Sequence, residues 1–228
     1  MVYYHDLVTQ QSWEELKKLH TICDFTLLGG WAVYLYTHGL KSKDIDILVD
    51  YSELPKLQKQ FEFVKNDRLH KYEAIRGPVQ IDIYTPHYSQ IGLPVEILLA
   101  HTQLVDGFRV ILPQYLILLK LFTLSQRGRT PKGRKDFLDI LSLYLSLKTN
   151  PFVLAAKLAQ VYKLQPSLKF FTRILSENTD IPELTLNNHQ FAPIKQSLLK
   201  IITSPDSPIS LAQKITLPKT HPHSYDLP

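Results

Sequence analysis

Asp44-Ile45-Asp46-Ile47-Leu48-Val49 sets two carboxylates two residues apart at the mouth of an apolar run. Such a run reads as a strand, on which residues i and i+2 share a face, roughly 6.5–7 Å apart along the chain. Asp44 and Asp46 therefore project together while Ile45 turns into a core. Two uncompensated carboxylates side by side are costly to bury, so this pair needs either solvent or cations. Their oxygens can converge on one cation, or on a pair of cations about 3.5–4 Å apart. A solvated strand edge carries the same Asp-x-Asp pattern, so the neighbours of the pair decide its meaning.

Two neighbours bear on it. Phe25-Thr26-Leu27-Leu28 is an apolar strand running into Gly29-Gly30, and a helix from Trp31 to about His38 follows, with Gly39 placed to stop it. Missing side chains let a phosphate approach the backbone, and a helix start offers unpaired N–H groups; a tight turn would use the same two glycines. Val79-Gln80-Ile81-Asp82-Ile83-Tyr84 is a further strand, with Asp82 on the face of Gln80 and Tyr84. Beside the Asp44–Asp46 strand it would gather three carboxylates on one sheet face. Such hard oxygen ligands suit Mg²⁺ or Mn²⁺ rather than zinc.

The remaining chain divides by pattern. Ser12-Trp13-Glu14-Glu15 has capping-box spacing ahead of a helical face of Trp13, Leu16, Leu19 and His20. A short helix is predicted over 52–60, strands over 61–65 and 70–76, a Gly77-Pro78 turn, and a hairpin at Asp106-Gly107 between 104–105 and 108–112. From Pro113 the pattern becomes helical, over 114–126, 134–147, 151–163, 166–177 and 193–203. The expected fold is α+β: a mixed-sheet core over 1–112, a helical region over 113–203 and an extended proline-rich tail over 204–228. No internal repeat is visible.

Composition narrows the class. With 228 residues, 44% hydrophobic and 21% charged, the chain suits a globular protein and excludes collagen-like, coiled-coil or wholly disordered types. A chain this long buries roughly 70% of its extended surface without disulfides, and its one cysteine, Cys23, has no partner in the chain. The start lacks a basic segment followed by an apolar one, and Val110–Leu124 is too short to span a bilayer and is broken by Pro113 and Lys120. A cytoplasmic protein with no membrane partner is expected. The net charge of +5 is unevenly spread: residues 1–111 hold 11 Lys/Arg against 14 Asp/Glu, and residues 112–228 hold 15 against 7. Lys120, Arg127, Arg129, Lys132, Arg134 and Lys135 form a run with no acid inside it, which suits nucleotide phosphates or a nucleic-acid backbone, or a solvated link between helices.

Leu28-Gly29-Gly30, thirteen residues, Asp44-Ile45-Asp46 and then Asp82 together resemble the nucleotidyltransferase superfamily typified by DNA polymerase β. The wording around Gly29-Gly30-Trp31-Ala32-Val33 looks most like its small prokaryotic branch of antibiotic nucleotidyltransferases and abortive-infection or toxin-type enzymes. The match spans 27–84. A looser likeness covers Leu118-Leu119-Lys120-Leu121 and Lys135-Asp136-Phe137-Leu138-Asp139. The resemblance implies Mg²⁺ (or Mn²⁺) and a nucleoside triphosphate: two ions bridge the carboxylates and the triphosphate, an acceptor hydroxyl attacks the α-phosphorus in line, and pyrophosphate leaves. Asp44 and Asp46 would hold the ions, and Asp82 would hold the nucleophile-side ion and take the hydroxyl proton. Gly29 and Gly30 would cradle the phosphates with Ser42, which stands where relatives have Ser or Thr, and with Lys41 near a basic position.

Lys120, as the one charge in Tyr115–Leu124, is the candidate for a distal phosphate contact, unless it snorkels from a buried helix. Lys135 reads as a partner of Asp136 or Asp139, and Trp31, Tyr34 and Tyr36 as core. His221-Pro222-His223 has no partner cluster for a metal. The acceptor stays open between RNA (tRNA included), an antibiotic and a protein hydroxyl. The alternative is a nucleotide-binding module with weak or no catalysis, paired with a small protein in a toxin–antitoxin system. A plain DNA-binding protein would leave the three carboxylates unexplained.

Overall fold

Alternation of apolar and polar residues in the first half is realised as strands in the computed structural model, which describes residues 2–204. They are β1 (Thr26–Leu28), β2 (Ile45–Leu48), β3 (Glu62–Asn66), β4 (Lys71–Arg76), β5 (Val79–Tyr84), β6 (Thr102–Val105) and β7 (Phe108–Ile111). One mixed sheet joins them in the order β3-β4-β5-β2-β1-β7-β6. Neighbours β2 and β5, and β1 and β7, run parallel; the other pairs are antiparallel. This is an α+β fold, as expected.

The register sorts the side chains. Ile45, Ile47, Ala74, Ile81 and Ile83 share the face opposite the acids and are fully buried. Helix α1 (Val2–Leu19) packs against β5 and contributes Leu16 and Leu19 to the core. Helix α2 (Gly29–Thr37) follows β1 directly, and α3 (Leu54–Gln58) and α4 (Val95–Ala100) are short. Beyond β7 come α5 (Pro113–Arg127), α6 (Pro131–Ser146), α7 (Pro151–Val161), α8 (Gln165–Glu177) and α9 (Asn188–Thr203). Proline stands in the first two positions of α5 through α8, where no N–H is required of it. Helices α5 and α6 pack on one another and on α2, which carries the helical region onto the glycine turn.

Several local expectations change. Ser12 is no cap: α1 starts at Val2, so Ser12 lies mid-helix, fully buried, and accepts a 2.9 Å hydrogen bond from Trp31 Nε1. The helix after β1 starts at Gly29 rather than Trp31. It stops at His38, which takes the left-handed conformation (φ 49°) expected of Gly39. The run Val95–Ala100 is a helix too short to show periodicity. Helix α6 starts three residues early because Thr130 caps it through Gly133 N–H. Helix α9 starts at Asn188, where Asn187 and Gln190 form a reciprocal capping box, and so encloses Pro193. The proline-rich stretch 205–228, with His221-Pro222-His223, lies outside the described residues. No helix among the described residues is long and apolar enough to cross a membrane.

Candidate active site

Asp46 is the register partner of two residues at once. On one side it faces Leu28, the last residue of β1; on the other it faces Asp82 of parallel β5. Chain geometry thus places the Asp46 carboxylate beside the Gly29 turn and Asp82 on the same sheet face. Gly29 has φ +70°, and a Cβ there would overlap the Asp46 carboxylate. At Gly30 a Cβ would run into Ser42 Oγ and come within 3.1 Å of Lys135 Nζ. The two glycines therefore make room for an acid, a hydroxyl and a cation around the start of α2, whose first N–H groups have no partner within the helix.

Gly29→Ala is expected to destabilise the protein by roughly 2–4 kcal/mol, from the left-handed backbone and the overlap together. Adding Asp46→Ala should restore about 1–3 kcal/mol of this by removing the overlapping group. A double-mutant cycle in urea measures both; strict additivity would show that the turn and the acid do not press on each other.

Charge around Asp46 is mixed. Burial, reinforced by the Asp82 carboxylate, pushes the Asp46 carboxyl up to about 6; Lys120 and Arg127 act against that rise and Asp44 adds to it. Tyr84, two residues beyond Asp82 on the same face, donates its hydroxyl to Asp46 Oδ1 at 3.4 Å. Burial, then the charges of Asp46 and Asp82, hold the Tyr84 phenol well above its ordinary range. Asp44 is exposed just ahead of β2, as is Lys41, while Ser42 is buried against the turn.

Asp82 has partners of its own. Lys71 Nζ lies 2.6 Å from Asp82 Oδ2 and 2.9 Å from Glu73 Oε1, and Gln80 Nε2 donates to Asp82 Oδ1 at 2.9 Å. Burial opposes the charge on Lys71, but its bonds to Asp82 and Glu73 outweigh burial and raise its pKa. Among the described residues no three Asp, Glu, His or Cys side chains form a ready metal-binding group. The donors that fit a hard divalent cation are the carboxylates of Asp44 and Asp46, for which a cation would relieve like-charge repulsion.

The basic run is largely occupied internally. Lys120 is buried and sits between Asp136 Oδ1 (3.0 Å) and Asp139 Oδ2 (2.7 Å), two aspartates that are themselves almost wholly buried. Burial opposes its charge, and Asp139 and Asp136 more than offset this, holding its ammonium above the usual lysine range. Arg127 bonds Asp136, Arg129 bonds Glu177, and Arg134 bonds Glu183. Lys120 is thus buried behind the site, where its charge still reaches Asp46. Lys135 bonds Asp139 at 3.2 Å and is the lysine nearest the glycine turn.

Lys135→Ala is expected to weaken binding of a phosphate-bearing ligand at the glycine turn by roughly tenfold, while removing this half-exposed partner of the fully buried Asp139, which keeps Lys120, costs about 1–2 kcal/mol of stability. Titration calorimetry with thermal unfolding separates the two effects, and an unchanged affinity would leave Lys135 a purely structural partner of Asp139.

Sequence reasoning missed Lys71, and it placed Tyr84 on the face of Asp82 without giving it a role. A two-residue Gly77-Pro78 turn pairs Arg76 with Val79, which sets Glu73 opposite Asp82 and puts Lys71 on the same face; that register was the available signal.

No protein-family model matches the chain, and no curated protein does. Three solved structures are similar to it. An antigenic nucleotidyltransferase-like protein from Paracoccidioides brasiliensis shares 19% identity, with 72% of this chain and 93% of that one covered and a TM-score of 0.39. A proposed nucleotidyltransferase from H. pylori shares 14%, covering 86% and 98%, with a TM-score of 0.47. JHP933 from Helicobacter pylori shares 15%, covering 85% and 94%, with a TM-score of 0.43. These likenesses are loose in both identity and shape, and what the chain does has to be read from its own residues.

Proposed function

We propose that this protein is a nucleotidyltransferase that moves a nucleoside monophosphate from a nucleoside triphosphate to a hydroxyl of an acceptor. The observation that carries this reading is the Asp46 carboxylate seated against the side-chain-free Gly29 turn, on one face with Asp82. Phosphate oxygens and a carboxylate-bound cation can meet there, with the backbone N–H groups at the start of α2 and Ser42 Oγ as donors.

Asp44 and Asp46 would hold Mg²⁺ or Mn²⁺, with triphosphate oxygens and water completing its shell, the usual arrangement for such an ion. When bound, the ion withdraws charge from the phosphoryl oxygens and lowers the barrier to attack. The acceptor oxygen forms a bond to the α-phosphorus as the bond to the pyrophosphate oxygen breaks, and Asp82 takes the hydroxyl proton. Lys135 Nζ, next to Gly30, meets the charge of the phosphates. Lys41 and Lys120 act from further away, Lys120 through the field it exerts at Asp46.

The test is label transfer. The protein is incubated with Mg²⁺ and each α-phosphate-labelled nucleoside triphosphate, with RNA, cell protein and a small-molecule extract offered separately. Label entering one fraction, and absent with Asp46→Asn, supports the reading and names the acceptor class. Label in none of them, with no Mg²⁺-dependent stabilisation by nucleotide, would favour a non-catalytic interaction module instead.

A further inference from the structure

Lys71 is an unusual neighbour for an acid expected to ligate a metal. The register of β4 against β5 sets Glu73 directly opposite Asp82, and like charges in that relation destabilise a sheet. Lys71, two residues before Glu73 on the same face, bridges both carboxylates at 2.6 and 2.9 Å. Its side chain is only 10% exposed, so the ammonium is a fixed part of the face. Asn66 Nδ2 donates to the Glu73 oxygen that Lys71 bonds, and Gln80 occupies the other oxygen of Asp82. The result is a cation already in place on the acceptor side of Asp46, set by strand register and locked by two amides.

We infer that Lys71 stands in for the second divalent cation, so that the site loads a single ion, at Asp44 and Asp46, and uses the lysine to neutralise Asp82. This rests on the nucleotidyl-transfer reading. A divalent ion ligated by Asp82 would have to sit beside the ammonium and be repelled by it. Lysine supplies half the charge of such an ion and none of its coordination chemistry: an ammonium has no empty coordination position and cannot ligate the acceptor oxygen. The acceptor hydroxyl must then lose its proton directly to Asp82, whose Oδ2 is bonded by Lys71.

The test counts bound Mn²⁺ by electron paramagnetic resonance in the presence of α,β-methylene ATP, corrected for Mn²⁺ on free nucleotide. Wild type is expected to hold a single Mn²⁺ per chain. Lys71→Met should gain a second, and Lys71→Arg, which keeps the charge, should not. If Lys71→Met does not fold, Lys71→Met with Glu73→Gln, which also removes the opposed acid, should show the second ion. Two ions on wild type would overturn the inference while leaving nucleotidyl transfer standing, as would an unchanged count in both Met-bearing chains. No Mn²⁺ held by wild type or by any variant would overturn both readings together.

Discussion

Asp46→Asn is expected to silence nucleotidyl transfer by roughly 10³-fold or more while leaving a protein that is more stable without metal than wild type. On the proposed function, the first effect follows from losing a carboxylate that would hold the cation against developing phosphoryl charge. The second follows from where that carboxylate sits. Burial and the neighbouring Asp82 raise its pKa from 3.8 to about 6, so the folded state resists its ionisation. A raised folded pKa leaves stability intact below the unfolded value and erodes it as pH climbs through the folded one. The loss from Asp46 therefore sets in above about pH 4 and is complete above about pH 6, on the order of 2–3 kcal/mol. Asparagine has no such titration. Urea unfolding in EDTA should show the variant equal to wild type near pH 4 and more stable near pH 8. A variant less stable at pH 8 would mean that favourable bonds, rather than repulsion, dominate around the wild-type carboxylate. Saturating Mg²⁺ should narrow the gap, because only wild type recovers the cation.

Lys120→Ala is expected to lower stability by about 3–5 kcal/mol, the usual cost of removing one partner from a buried ion pair. The two aspartates it leaves behind are almost wholly buried, and each keeps only one cation, Arg127 for Asp136 and Lys135 for Asp139. Replacing Lys120 and Asp139 together by apolar residues should recover part of the loss, since the uncompensated charge goes with its partner. Urea midpoints measure both. A loss under about 1 kcal/mol would show that Lys120 is available to a ligand rather than committed to the core. Activity carries a second signature: without the Lys120 charge Asp46 holds its proton to higher pH, and the acid limb of the pH–rate profile moves upward.

The centre of the site was legible because its determinants are local. Strand alternation sets the face of Asp46 and of Asp82 within their own strands, the pairing of β2 with β5 then joining them, and the apolar run before Gly29 announces a strand passing straight into a helix. What the sequence concealed depends on partners far along the chain. Arg129 and Arg134 look like a free basic surface until Glu177 and Glu183 close on them from helices and turns about fifty residues away. Lys120 looks like a lone charge in an apolar helix until α6 brings Asp136 and Asp139 against it. Ser12 shows the converse error: capping-box spacing was present, but the helix began ten residues earlier and the hydroxyl went to Trp31.

β1, which delivers the glycine turn, is held between β2 and β7, with Leu27 beside Val110. That parallel pairing joins segments far apart in the chain, and such contacts form slowly because a large loop must close first. Lys120 and Arg127, whose charges bear on Asp46, emerge later still during synthesis, and Lys135 and its partner Asp139 follow them. The candidate site is therefore complete only once α6 has been made, with α7, α8 and α9 still to follow. A growing chain on the ribosome carries Asp46 and Asp82 well before it carries Lys120, Lys135 and the aspartates that hold them, so on the proposed function a chain that ends short of α6 transfers nothing.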